Sequence, residues 1–234
     1  FLIKDLGRDE FLRLVEEEKK ALSYQTVEID TIAFDGEIPA PLLEVPKVVI
    51  EDAAAFEAWK KSNVIAQKQA GYVAIGIKVL LGDFYTDKAR ALAELIKNYA
   101  ANELRFSLRQ DILIRHVKEE NLPFFYQELA KLDFVALGYN TISDITACPG
   151  TDTCNLGIAS STGIAVELER VLETEYPQYS NNKEITIKIS GCMNACGQHS
   201  MAQIGFQGMS VKSGKLVAPA LQVLLGGGVL GNGK

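Results

Sequence analysis

CPGTDTC (residues 148–154) and GCMNACG (residues 191–197) contain the only four cysteines of the 234-residue chain. Five residues separate the two cysteines of the first stretch, and three residues separate those of the second. Four thiolates in two tight loops form a soft, all-sulfur donor set that is typical of iron–sulfur clusters, zinc or copper(I). Structural zinc sites usually have about two to four residues between paired ligands, a range that the first stretch exceeds. The spacing therefore favours a cubane cluster, which is larger than one ion.

Glycines stand in or near both stretches, at Gly150, Gly157, Gly191 and Gly197. A glycine lets the backbone come close to a cluster, so that N–H groups can donate to its sulfur atoms. Spacing alone leaves three other interpretations open. They are a zinc site, two disulfides in an oxidising compartment, and four unliganded cysteines that pack as small apolar side chains.

The order of the two cysteine stretches resembles that of the sirohaem sulfite and nitrite reductases, in which C-x5-C precedes G-C-x-N-x-C. The flanking sequences TACPGTDTC (146–154), ISGC (189–192) and AQIGF (202–206) are similar as well. The resemblance implies that one 4Fe-4S cluster is held by four ligands: Cys148, Cys154, Cys192 and Cys196. It also implies that Cys196 bridges the cluster to the sirohaem iron, and that Asn194 hydrogen-bonds the sirohaem. The alternative role for Asn194 is that of a turn residue with a left-handed backbone.

A second motif, LRFSLRQD, occupies residues 104–111. Alternation along a strand would place its arginines on one face and its apolar side chains on the other. Arginines in a row can bind carboxylates, although an exposed strand face with surface ion pairs is the common alternative. The motif resembles an R-x-T-x-x-Q-N pattern in the reductase repeats, which implies sirohaem contacts from Arg105, Ser107 and Gln110. Arg109 would bind sirohaem or the substrate anion, whereas Asp111 replaces the usual asparagine and would repel sirohaem carboxylates.

The sequence predicts an α+β fold in three parts. Residues 1–70 are expected to hold the terminal helix of a preceding repeat (5–22) and a proline-containing linker, with a short helix at 52–61 capped by Asp52. Residues 71–135 follow the order β-α-β-β-α of a ferredoxin-like split βαβ half-domain, with Thr86 or Asp87 as a helix cap. The resemblance assigns residues 136–234 to an α/β domain that binds 4Fe-4S and sirohaem. There a helix is predicted to begin directly after Cys154.

Charge and hydropathy exclude several classes of protein. The net charge of −6 and the pI near 5.1 disfavour a nucleic-acid binder. There is no apolar run of about 18 residues, so no membrane span is expected. The charge-dense N-terminal stretch does not resemble a signal peptide, which predicts a cytoplasmic location. The run GGGVLGNGK (226–234) matches nucleotide-binding patterns but lacks the helix that should follow them.

The resemblance predicts an oxidoreductase that reduces sulfite to sulfide with six electrons. Nitrite reduction to ammonia is the alternative within the family, and an iron–sulfur or zinc-bound module without sirohaem is the alternative outside it. Ferredoxin or a flavoprotein is the expected electron donor. In the family, most residues that clasp the substrate belong to a first repeat, which this chain is expected to lack. The chain alone is therefore expected to be inactive.

Overall fold

The computed structural model describes residues 2–23 and 38–228. The chain divides into two units, Phe1–Glu37 and Ile38–Lys234. In the first unit, helix α1 (Leu2–Leu6) is followed by helix α2 (Arg8–Ala21). Gly7 lies between them with φ of 79°, a conformation that favours glycine. The single helix predicted at 5–22 is therefore broken.

The second unit begins its regular structure with helix α3 (Ala53–Asn63). The Asp52 side chain accepts a hydrogen bond from the Ala55 N–H at 2.9 Å, which confirms the predicted cap. Strand β1 (Val64–Ala66) follows and pairs antiparallel with β2 (Tyr72–Ile77). The sequence placed β1 in the linker, because three residues are too few to show an alternating pattern. The first sheet thus begins before residue 71.

The predicted β-α-β-β-α order is present. It consists of β2, helix α4 (Thr86–Tyr99), strands β3 (Leu104–Phe106) and β4 (Ile112–Lys118), and helix α5 (Leu122–Lys131). The strand order is β1-β2-β4-β3, with antiparallel neighbours, as in a ferredoxin-like half-domain. Neither Thr86 nor Asp87 caps α4, because the N-cap position is Tyr85 and no side chain bonds there.

A second sheet carries the cysteine loops. Strands β5 (Thr146–Ala147), β6 (Ile187–Ser190) and β7 (Ile204–Ser213) are parallel neighbours, and β8 (Leu216–Leu225) pairs antiparallel with β7. Helix α6 (Ser161–Thr174) packs against this sheet. Two sheets with separate helices give the α+β class that the sequence predicts.

Helix α6 begins at Ser161, so the prediction of a helix directly after Cys154 was wrong. The N–H groups of Ile158 and Ala159 donate to the Gly191 carbonyl oxygen at 2.8 and 3.0 Å. These bonds hold the intervening segment in a non-helical path until Ser160, whose side chain caps the helix at the Gly163 N–H.

The sequence also predicts that the chain has no membrane span and that the glycine-rich run 226–234 is not a nucleotide-binding site. Among the described residues, no helix is long and apolar enough to cross a membrane. Most of the glycine-rich run 226–234 lies outside the described residues.

Candidate functional site

The two cysteine loops leave the second sheet side by side. Strands β5 and β6 are parallel, with Ala147 opposite Ile189, and each is followed at its carboxyl end by a cysteine loop. The Cys148 N–H extends this pairing by donating to the Ile189 carbonyl oxygen at 3.1 Å. Because parallel strands end at the same sheet edge, the local fold brings the two loops together.

Glycines allow the backbones of the two loops to touch. A Cβ atom on Gly191 would lie 2.7 Å from the Ala159 carbonyl oxygen and 2.7 Å from the Gly150 Cα. A Cβ on Gly157 would lie 2.7 Å from the Gly150 carbonyl oxygen, and Gly150 itself has φ of +53°. Side chains would separate the loops at these positions, so the glycines set the spacing between them.

The donor groups around Cys148 suit a thiolate. The Gly191 N–H points to the Cys148 Sγ at 3.1 Å, and the Ser161 Oγ lies 3.5 Å from the same sulfur. Ser161 is fully buried, is the first residue of α6, and donates to the Cys148 carbonyl oxygen at 2.6 Å. A backbone N–H and a helix N-terminus both stabilise negative charge on sulfur.

The four cysteines differ in exposure. Cys192 is buried, Cys148 and Cys154 are half-buried, and Cys196 is exposed. All four are free thiols, so the structure contains none of the disulfides that were left open above. Within residues 2–23 and 38–228, no three His, Cys, Asp or Glu side chains are grouped as the ligands of a single metal ion. The donor set itself, four soft thiols on two adjoining loops, fits an iron–sulfur cluster.

Gln110 is tied to the strand that leads into the first cysteine loop. Its side-chain amide donates to the Ala147 carbonyl oxygen at 2.9 Å and accepts from the Ala147 N–H at 3.0 Å. The same amide nitrogen is 3.3 Å from the Leu81 carbonyl oxygen. The amide implied as a sirohaem contact is thus bonded to backbone beside Cys148.

The neighbours of Gln110 also bind within the protein. The Ser107 hydroxyl accepts from the N–H groups of Arg109 and Asp111 at 3.1 and 3.3 Å, which closes a turn. Arg109 donates to the Thr141 carbonyl oxygen at 3.3 Å. Asp111 is only 1% exposed and accepts from the Val79 N–H at 2.9 Å. Asp111 is therefore enclosed by the protein.

Arg105 has the surroundings of a surface ion pair. Its side chain is 62% exposed, and its guanidinium lies 2.6 Å from Glu103. The apolar side chains Phe106 and Leu108 of this motif are not in the core, since they are 73% and 78% exposed. Strand β3 ends at Phe106 and the chain then turns, so the alternation does not continue over the core. Only Leu104 of this face packs against the core among the residues described.

Asn194 and Cys196 are both exposed in the second cysteine loop. The left-handed residue of this loop is Ala195, with φ of 59°. The alternative role of Asn194 as a left-handed turn residue is therefore wrong, and its side chain is free to meet a bound group from the solvent side.

Sequence reasoning missed Lys188, a buried cation in β6. Its ammonium group donates to the Gln198 side chain at 3.0 Å and lies 3.4 Å from the Thr146 hydroxyl. Burial and the nearby Arg109 lower the pKa of Lys188, and Asp144 opposes them. The sequence signal for this burial was the position of the lysine between two isoleucines in the strand that leads into a cysteine loop.

Comparison with protein families gives two matches. Residues 65–132 match the model described as "Nitrite/Sulfite reductase ferredoxin-like half domain". Residues 138–233 match "Nitrite and sulphite reductase 4Fe-4S domain". The two matches correspond to the first and second sheets of the structure.

Individual proteins of the same kind are similar to the chain. A ferredoxin–nitrite reductase of Synechococcus elongatus is 27% identical over 174 residues, which are 73% of this chain and 33% of the relative. "Sulfite reductase [ferredoxin] 1" of Mycolicibacterium paratuberculosis is 26% identical over 235 residues, which are 98% of this chain and 38% of the relative. The chain thus spans about a third of the length of the curated relatives it matches.

A solved structure agrees with these matches. The Mycobacterium tuberculosis NirA protein superposes with a TM-score of 0.58 and 25% identity, over 100% of this chain and 38% of that one. The predicted fold and family are therefore confirmed, and the family implies both predicted cofactors. The chain belongs to the nitrite and sulfite reductase family of oxidoreductases, whose 4Fe-4S domain implies a 4Fe-4S cluster and sirohaem.

Proposed function

We propose that this chain is the cluster-bearing part of a sirohaem-dependent reductase that reduces sulfite to sulfide, with nitrite as the alternative substrate. The observation that carries the proposal is the pair of cysteine loops, joined through Gly191 and Cys148 at the end of two parallel strands. Four free thiols in such a frame suit a cluster. The bound cofactors supply the electron transfer and the redox chemistry at the anion.

The four cysteines would hold the cluster, each with a different exposure. Cys148 receives the Gly191 N–H and lies beside the N-terminus of α6, so its negative charge is stabilised on the protein side. Cys196 is exposed, which leaves it accessible as the ligand shared with the sirohaem iron. Asn194, exposed on the same loop, would hydrogen-bond the macrocycle.

The cationic residues divide into two groups. Arg105 is exposed on β3 and would be available to a sirohaem carboxylate. Arg109 contacts the Thr141 carbonyl oxygen and the buried Lys188 lies 3.4 Å from the Thr146 hydroxyl, so both add positive charge beside the segment that leads to Cys148. Ser107 and Gln110 would act by holding the turn and the Cys148 strand, because both side chains are bonded to backbone.

The choice of substrate rests on two opposing indications. The loop sequence CPGTDTC favours sulfite, whereas ferredoxin–nitrite reductases are prominent among the similar proteins. Both kinds of relative carry ferredoxin in their names, which supports ferredoxin as the electron donor. The relatives extend well beyond the region that matches this chain. A corresponding region of the whole enzyme would supply the first repeat and the remaining substrate contacts. The whole enzyme would be cytoplasmic.

The first test is metal content and spectrum. The chain, produced anaerobically with sirohaem, is expected to bind about four irons and about four acid-labile sulfides, with a macrocycle absorption band. Cys196→Ser should remove the spectral coupling between the two cofactors. Met193→Ala, in the same loop and 76% exposed, is the matched control and should leave both spectra unchanged. One zinc and no sulfide would overturn the proposal.

Steady-state kinetics of the whole protein distinguish sulfite from nitrite as the substrate. The ratio of kcat/KM for sulfite to that for nitrite, measured with one reduced donor, should exceed one. A ratio below one would reassign the enzyme to nitrite. The isolated chain is expected to show neither activity even when both cofactors are bound.

A further inference from the structure

Three consecutive residues clamp the segment that leads into Cys148. Arg109 donates to the Thr141 carbonyl oxygen, and Gln110 forms two bonds with Ala147. Between these points, the carboxyl group of Asp144 lies within hydrogen-bonding reach of the Asp111 carboxyl group. The turn at 109–111 thus binds the start, middle and end of segment 141–147.

The Asp111–Asp144 contact differs from the other two because both partners are acids. They are 1% and 4% exposed. Asp111 Oδ1 accepts from the Val79 N–H, while its Oδ2 is buried with no hydrogen-bond donor in the described part of the chain. Asp144 Oδ2 already accepts from the Asn140 N–H at 2.7 Å. A proton held between the carboxyl groups would give Asp111 Oδ2 the partner it lacks.

The charges around the pair come from each element that packs against it. Arg109 on the same turn favours the charged form of Asp111. Lys188 in β6 and Glu169 in α6, which is ion-paired with Lys78, lie near enough to interact with Asp144. Burial and the Asp144 carboxyl group outweigh Arg109 and raise the pKa of Asp111 to about 8. Tyr139, whose pKa is raised to about 12 by burial and the two acids, remains neutral.

We propose that Asp111 and Asp144 form a one-proton latch, which holds the strand leading to Cys148 against the ferredoxin-like sheet and opens when the proton is lost to solvent. With one proton, the pair forms a charge-assisted hydrogen bond. Without it, two carboxylates face each other at low exposure and repel. The bond to Ala147 through the adjacent Gln110 makes the position of Cys148 depend on this proton.

Hydrogen exchange of the backbone tests the latch directly. The Ala147 and Cys148 N–H groups are bonded to Gln110 and Ile189, so their protection reports whether segment 141–147 is held. After correction for the intrinsic exchange rate, protection should fall at least about tenfold between pH 6 and pH 9, whether or not a cluster is bound. Asp111→Asn should keep the protection at both pH values, because an amide can accept from Val79 and donate to Asp144 without titrating.

Two further variants keep the test decisive. Asp144→Asn should have the same effect as Asp111→Asn, and it serves if Asp111→Asn does not fold. Glu128→Gln removes a half-buried carboxylate that pairs with Lys131, far in sequence from the latch, and should respond to pH like the unmodified protein. Equal loss of protection in the unmodified protein and in both asparagine variants would overturn the latch.

The consequence for the cluster rests on the proposed function, and iron release separates the two ideas. Release to a chelator should be faster at pH 9 than at pH 6 in the unmodified protein, and the difference should disappear in Asp111→Asn. If no cluster is bound but the exchange results hold, the latch stands and the proposed function fails. If a cluster is bound but exchange does not distinguish the variants, the latch fails and the proposed function stands.

Discussion

The two sheets of this protein are held together in different ways. The first sheet rests on a large apolar cluster that contains the fully buried Trp59 and Phe125 together with strand and helix aliphatics. The second sheet has a small cluster of buried residues without aromatic side chains: Ile142, Ile145, Ala147, Ala165, Ile187 and Ile189. Around its cysteine loops, backbone contacts backbone at glycines.

This difference separates two kinds of stability. In the first sheet, the apolar area removed from water is the main contribution, so the volume of each side chain matters. In the second, close backbone contact and hydrogen bonds to loop atoms place the thiols, so an added methyl group matters more than a lost one. In the first sheet, substitutions that remove side-chain atoms should therefore be the more destabilising ones. Around the cysteine loops, substitutions that add atoms should be.

The largest expected effect is a truncation in the first sheet's core. Phe125→Ala should lower the free energy of unfolding by about 3–5 kcal/mol, because it removes a fully buried ring and leaves a cavity. Phe106→Ala, at a ring that is 73% exposed, is the matched control and should change it by about 0.5 kcal/mol or less. Denaturant unfolding of both variants measures the contrast, and similar losses would contradict the assigned core.

The next effect comes from enlarging a glycine between the cysteine loops. Gly150→Ala combines a collision of the new Cβ with Ser161 and a left-handed backbone, so a loss of about 3 kcal/mol is expected. Gly214→Ala is matched in φ, at +62°, but has open space around its Cβ and should lose only about 1 kcal/mol.

Iron content of the two glycine variants gives an independent reading. Gly150→Ala should bind less iron per chain, whereas Gly214→Ala, in the hairpin turn between β7 and β8, should bind as much iron as the unmodified protein. If both variants lose the same stability, the strained backbone alone explains the result, and the close contact between loops does not contribute.

Local sequence patterns predicted much of the first sheet but few of the hydrogen bonds and contacts that build the site. The helices α4 and α5 and strands β2 and β4 have apolar residues at regular spacing, and each was foreseen because its burial follows from its own sequence. Strand β1 was missed because its pairing with β2 depends on residues beyond its own short length. The start of α6 was misplaced because two N–H groups bind Gly191, which is distant in sequence.

The site shows the same division between local and distant causes. The four cysteines were recognisable from spacing and flanking residues. The burial of Asp111 and Lys188 was not, since it arises when the turn at 109–111 meets the strand before Cys148 and the strand before Cys192. Charged residues in a motif were interpreted as ligands, although in the structure several of them bind protein atoms.

A smaller effect is expected at the junction between the two sheets. Gln110→Ala removes both hydrogen bonds to Ala147 and should lower the free energy of unfolding by about 2 kcal/mol, because it leaves buried backbone groups of Ala147 unpaired. Gln127→Ala removes an exposed bond to the Val49 carbonyl oxygen and should lose about 0.5 kcal/mol. Denaturant unfolding compares them, and equal losses would mean that Gln110 does not couple the sheets.

The smallest effect on stability is expected at Arg105. This residue tests whether strand β3 of the first sheet takes part in binding sirohaem beside the second sheet. Arg105→Ala breaks an exposed ion pair with Glu103, so the free energy of unfolding should change by about 0.5 kcal/mol or less. Glu103→Gln is the control, because it breaks this pair together with the Arg115–Glu103 pair and leaves the Arg105 guanidinium in place. If Arg105 binds a sirohaem carboxylate, only Arg105→Ala should reduce the sirohaem bound per cluster, measured by the macrocycle absorption band. Equal sirohaem content in the two variants would leave Arg105 as a surface residue, and the second sheet would then bind the macrocycle without help from β3.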